Sequence, residues 1–321
     1  MEFKQSTSIL FSNLGLVFKL LLYVLIVTLI FVSLSSAIII PVFRQITATE
    51  SMDLLLSRTS GHIQGFLVGE LSIISTYDLL VIDVKAIVNN FLSSEGTIAI
   101  VCIGMLLIYM FYKFLSALSF IPTSDILNNF MSSNLRYGFL SNYAYNMRRS
   151  LKYALWKVLI SVPIDIIIVA ILGGVFIGLW QIIKFLALPI IVVLGIALFS
   201  FRQAIFAGWI PRILFNPEEK TLDALKNSYR ETKDTRRSLF AAFAIVNFFY
   251  WAFIGALSTA TFGIMLIITP TVNYVITRIV ELVSYYKLKR LRFYTDSNTV
   301  VDTVAVGMRE ENQEKPPKDI D

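Results

Sequence analysis

From residue 14 onward the chain alternates between long apolar runs and short, mostly basic connections. Six runs stand out, near 16–41, 97–117, 158–180, 185–209, 239–257 and 262–285. Each approaches or exceeds the ~20 residues an α-helix needs to cross ~30 Å of hydrocarbon. The pattern predicts an all-α fold: a polytopic membrane helical bundle of about six transmembrane helices, with amphipathic helices at its surfaces. The third and fourth runs are predicted to form a tight hairpin, 158–209, around which the rest is organised. The first run carries small residues (Ser33, Ser35, Ser36, Ala37) that resemble a leader cleavage site. It continues through Ile38, Ile39 and Ile40, too long for a signal-peptide apolar region, and reads as an uncleaved anchor.

The connections have patterns of their own. Residues 44–95 hold apolar clusters at 52–56, 66–71 and 79–91 separated by Ser, Thr and Gly, which predicts amphipathic helices rather than an independent domain. Thr123 or Ser124 is expected to cap a helix with Ile126, Leu127, Phe130 and Met131 on its apolar face. After Gly138, Ser141 is expected to open a helix with Ala144, Met147, Leu151 and Leu155 on one face, running directly into the third span. Asn216-Pro217-Glu218-Glu219 reads as a helix start, followed by a surface helix with Leu222, Leu225 and Tyr229 on one side. Residues 1–285 thus form the membrane domain, and 286–321 a tail whose last dozen residues read as disordered. Arg-Arg-Ser-Leu recurs at 148–151 and 236–239, ahead of two apolar runs. This fits either a duplicated helical hairpin or two independently recruited basic anchors.

Composition agrees with a membrane class: 56% of the 321 residues are hydrophobic and the mean hydropathy is +0.71. A net charge of +6 would suit nucleic acid, but the basic residues flank spans and no basic domain lies outside them, so no nucleic-acid partner is expected. Their distribution sets an orientation. The N-terminus, the 113–157 and 210–237 connections and the tail hold 22 Lys and Arg, against four in 44–95 and at Lys184. The positive-inside rule then puts both termini in the cytoplasm and the 44–95 loop outside, as in a multi-pass protein of a bacterial cell membrane. Lys287, Lys289, Arg290 and Arg292 are expected at the inner surface as a lipid-facing basic patch attracting anionic lipid.

The segment Leu222-Asp-Ala-Leu-Lys-Asn-Ser-Tyr-Arg-Glu-Thr-Lys233, with the polar linker and span that follow, resembles bacterial polytopic proteins. These include the membrane domain of some glycerophosphodiester phosphodiesterases and related uncharacterised six-span proteins. The resemblance covers about forty residues and implies cytoplasmically anchored helices and no activity, since the chain has no room for the phosphodiesterase domain.

Polar residues inside the spans are the candidate site. Asp165, Arg202, Arg278 and Glu281 fall ~9–13 Å from the cytoplasmic side at 1.5 Å per residue, so three spans bring two acids and two bases to one level. A lone charge at midspan costs at least ~2.5–3.5 kcal/mol, which favours pairing. Asp165 is expected to face Arg202, with Arg278 and Glu281 close by, Asn247 joining from the fifth span, and Pro163 freeing a carbonyl for the same network. Gly174-Val-Phe-Ile-Gly178 is a G-x-x-x-G suited to close approach of another helix, from within this bundle by default or from a second chain. The lone cysteine, Cys102, reads as a small apolar packing residue. The lone histidine, His62, leaves little for a metal site or a hydrolase triad. No HExxH, Cys-x-x-Cys, Walker loop or G-x-S-x-G occurs, and Asp302, Glu310 and Glu311 read as solvated tail charges. The expectation is therefore a non-catalytic accessory or organising membrane component, with no metal, no cofactor and a protein partner of unknown kind. The alternative is a small-solute or lipid transporter using the polar cluster.

Overall fold

The computed structural model describes residues 2–47, 50–92, 95–135, 137–261, 265–296 and 298–303. The helices are α1 (Glu2–Ser12), α2 (Leu14–Thr47), α3 (Glu50–Leu67), α4 (Ile73–Leu92), α5 (Glu95–Leu118) and α6 (Phe120–Ser133), then α7 (Phe139–Ile183), α8 (Ala187–Phe206), α9 (Trp209–Phe215), α10 (Thr221–Glu231), α11 (Arg236–Ala260) and α12 (Met265–Leu288). A two-residue hairpin, β1 (Phe293–Tyr294) on β2 (Val300–Val301), follows in antiparallel register. The fold is an all-α bundle. Five stretches of the described residues are long and apolar enough to cross a membrane: Leu14–Pro41, Val101–Ser133, Phe139–Ile183, Ala187–Phe215 and Arg236–Gly255. On α7 and α8 the apolar side chains Ile177, Ile182, Leu188 and Val193 are more than half exposed, as lipid-covered surface is and water-covered surface is not. The chain is a helical membrane protein.

Two compact units divide the chain, Val27–Tyr112 and the remainder. In the larger, α12 packs on α1, α6, α9 and α11, while α7 packs on α6 and α8, and α8 on α11. From Arg278 to Tyr286 every residue of α12 is buried. A helix buried on all sides is the hub of its bundle, so α12 rather than the 158–209 hairpin organises this unit. It is not among the five spanning stretches, and the residues expected to begin the sixth span, 262–264, lie outside the described set. Ile9, Leu10, Leu20, Leu127, Phe130, Ile279, Val283 and Phe293 share one core cluster. A second joins Ile121, Tyr153, Trp209, Ile210 and Ala224, so the short helices form a packed head rather than lying singly on a surface.

Several local expectations are corrected. α6 begins at Phe120, and Thr123 and Ser124 are buried within it, because Pro122 fits a first turn whose N–H groups are free anyway. Its expected apolar face, Ile126, Leu127, Phe130 and Met131, is buried. α7 runs unbroken through Pro163, as expected, but starts at Phe139 with Gly138 as N-cap. Its face of Met147, Leu151 and Leu155 points outward, while Asn142, Asn146, Ser150 and Tyr153 point inward. Asn216 ends α9 rather than opening a helix; Pro217–Glu219 form a turn, and α10 starts after Lys220. On α10 the buried residues are Ala224 and Ser228, with Leu222 and Tyr229 exposed. The two Arg-Arg-Ser-Leu stretches turn different residues inward, Ser150 in one and Leu239 in the other. The tail begins as the β1–β2 hairpin seated on α6 through Phe293; residues 304–321, including Glu310 and Glu311, lie outside the described set.

The smaller unit contains the α3–α4 hairpin, which closes around Asp83, 0% exposed. Thr59 Oγ1 donates to its Oδ2 at 3.2 Å, Arg58 Nε stands 3.5 Å from Oδ1, and His62 Nε2 3.4 Å from Oδ2. Cys102, expected to pack inside, is exposed.

Candidate functional site: the intramembrane charges

Asp165 lies on α7 and is 5% exposed. Arg202, on α8, donates through a guanidinium nitrogen to Asp165 Oδ1. The second oxygen, Oδ2, stands 3.4 Å from Lys113 Nζ on α5. One carboxylate thus ties three helices, with a cation on each oxygen.

Arg278 and Glu281 make a separate pair, 2.7 Å between guanidinium and carboxylate, one turn apart on α12. The i, i+3 spacing lets each answer the other without a neighbouring helix. The Arg278 guanidinium also stacks 4.7 Å from the Phe120 ring centre. Asn247 joins neither pair. Its amide donates to Ser200 Oγ and Gln203 Oε1 on α8, both at 2.9 Å, clamping α11 to α8. The expected single cluster is therefore three neighbouring devices. Lys157, between them, interacts electrostatically with Lys113, Arg202, Arg278 and Glu281, and its amine sits 4.2 Å from the Phe206 ring centre and 5.7 Å from that of Trp209.

Lys113, Lys157, Ser200 and Gln203 were not expected here. The signal for Lys113 is that the apolar pattern continues past it through Phe114, Leu115, Leu118 and Ile121, so the lysine lies inside the run rather than at its mouth. The expectation that Gly174 and Gly178 pack within the chain's own bundle is corrected: a Cβ on either meets nothing within 4 Å, so no described helix of the chain packs there. Close approach occurs at other glycines, among them Gly208, where a Cβ would stand 2.9 Å from Thr232 Cγ2 and 3.0 Å from Ser228 Cβ.

The basic patch is only partly free to face lipid. Lys289 Nζ bonds Glu231 at 3.1 Å and Arg292 bonds Asp302 at 2.9 Å, while Arg290 is exposed at φ +54° and Lys287 is half-buried. Glu231 also binds Arg212 at 2.6 Å, and Arg212 grips Glu219 through Nε and Nη2 at 2.6 and 3.1 Å. Arg212 hydrogen bonding holds the Glu219 carboxyl below its ordinary value of 4.5.

A further polar group lies between α6 and α7. Asp125 Oδ2 accepts the amides of Asn142 at 2.8 Å and Asn146 at 2.9 Å. Among the described residues no three His, Cys, Asp or Glu side chains stand where they share a metal ion. No protein-family model, curated protein or solved structure matches the chain.

Proposed function

We propose that the chain is a non-catalytic, multi-pass membrane protein acting as a membrane-embedded accessory or organising component, with both termini cytoplasmic in a bacterial cell membrane. The observation that carries this is the closure of the intramembrane charges on one another. Asp165 is taken up by Arg202 and Lys113, and Arg278 by Glu281. A solute path needs polar groups facing a water-filled cavity. The void touching Glu281, beside Ser284 and Tyr285, holds about 10 Å³, room for roughly one water. Charges so arranged fix helix packing, and the amine of Lys157 between the two pairs lies over the Phe206 and Trp209 rings.

The test is the purified protein in proteoliposomes, assayed for solute uptake and for movement of labelled lipid. Rates equal to those of protein-free vesicles are expected. Flux above that background, abolished by Asp165→Asn, would replace this reading with a transporter.

A further inference from the structure

Asp125, Arg149, Asn142, Asn146, Tyr137 and Tyr145 line a cleft of about 460 Å³, within the size range of small-ligand sites. Its floor is built. Asn146 is 1% exposed and Asn142 8%, and both hold Asp125 Oδ2, Asn146 through an amide that also reaches Asn142 Oδ1 at 2.8 Å. The other carboxylate oxygen, Oδ1, receives Asn129 at 3.5 Å and no other donor among the described residues. A carboxylate accepts about four hydrogen bonds, so Oδ1 has spare capacity. No cationic side chain pairs with Asp125 among the described residues. Arg149 lines the same cleft, is exposed, and likewise has no carboxylate partner among them.

Two opposite charges lining one cleft without meeting specify a ligand that carries both. Asp125, in a cleft that two tyrosines also line, suits an ammonium; Arg149 suits a phosphate, whose oxygens its planar fork matches. The surroundings point to a lipid source. Tyr137 and Tyr145, which line the cleft, are 50 and 79% exposed, and Leu135 and Leu140, close to them in the chain, are 51 and 82% exposed, as at a membrane interface. Along α7 the exposed surface turns from charged (Arg148, Arg149, Lys152) to apolar (Leu155, Trp156, Leu159). Arg149 is six residues, ~9 Å, from Leu155, on the headgroup side of that boundary.

We propose that this cleft binds a phosphate–ammonium zwitterion, the headgroup of an ethanolamine phospholipid, with the ammonium on Asp125 and the phosphate on Arg149. The proposal is separate from the packing role of Asp165.

The test is native mass spectrometry of the full chain in detergent, offered phosphatidylethanolamine and phosphatidylglycerol in equal amounts, with soluble glycerophosphoethanolamine as competitor. The wild type is expected to retain the ethanolamine lipid preferentially. Asp125→Asn keeps an oxygen for Asn142 and Asn146 and is expected to lose about tenfold in that retention, the size of one charge-assisted hydrogen bond. Arg149→Gln, at an exposed side chain with no ion pair among the described residues, is expected to weaken both lipids and provides a second reading should the Asp125 variant fail to fold. Displacement by the soluble headgroup at concentrations matching the lipid's would keep the zwitterion chemistry and assign a soluble ligand. Equal retention of the two lipids by the wild type, or an undiminished preference in Asp125→Asn, would overturn the proposal.

Discussion

At the scale of single residues, the side chains that decide most are charged ones withdrawn from water. Asp165 would be costly alone in the apolar part of the bundle, and each of its oxygens faces a cation. Lys157 meets a different solution: rings of Phe206 and Trp209 take its amine, an attraction of ~0.5–2 kcal/mol that strengthens as water is excluded. Outside the spanning stretches the same logic becomes pH-dependent. Glu219, hydrogen-bonded to Arg212 and Asn227, has its folded-state pKa lowered below the usual 4.5. Its contribution is therefore full above pH 4.5 and is lost as pH falls through the lowered folded value. Glu219→Gln is expected to be less stable than wild type by ~1 kcal/mol at pH 7, the side chain being near the surface. That gap should close as the pH is taken below 4.5. Denaturation midpoints of both proteins across pH 3–7 check this, and a gap independent of pH would contradict it.

Among the elements, contact is set by small and amide-bearing residues. Asn247→Ala removes both bonds that clamp α11 to α8 and leaves Ser200 and Gln203 to find other partners. A loss of ~1–3 kcal/mol is expected. Gly208→Ala should also destabilise, because its Cβ would meet Thr232 and Ser228 at 3.0 Å or less. Gly174→Ala and Gly178→Ala should be neutral within the single chain, since nothing approaches them. Thermal unfolding in detergent compares the four. Equal effects at Gly174 and Gly208 would show that the packing has been misassigned.

These elements also show where the sequence was legible. The long runs were plain because lipid requires ~20 apolar residues in a row, and five of the expected spans coincide with the apolar stretches found. The Asp165–Arg202 contact could be read from equal depth along two adjacent helices. The faces of α7 and α10 could not, because the inward side is set by contacts with other helices: Asn146 turns inward to Asp125 on α6, and Leu151 and Leu155 face outward. The start of α10 was misread because Asn216-Pro217 has the chemistry of a helix start, yet Trp209–Phe215 already forms a helix that Asn216 closes. Depth along the span fixes a level in the membrane and not an azimuth around the helix, so it does not tell that Asn247 turns to Ser200 and Gln203 rather than to the charges.

For the whole molecule, the claim is that intramembrane charge serves assembly. α12, buried through Arg278–Tyr286, holds its own ion pair, and α5, α7 and α8 meet at Asp165. Charge exchange at that meeting point is the most direct test. Asp165→Arg places a third cation beside Arg202 and Lys113 and is expected to reduce the yield of folded, monodisperse protein strongly. Adding Arg202→Asp restores an opposite-charge pair across the same two helices and should recover part of that yield. A double variant no better than the worse single one would contradict the account.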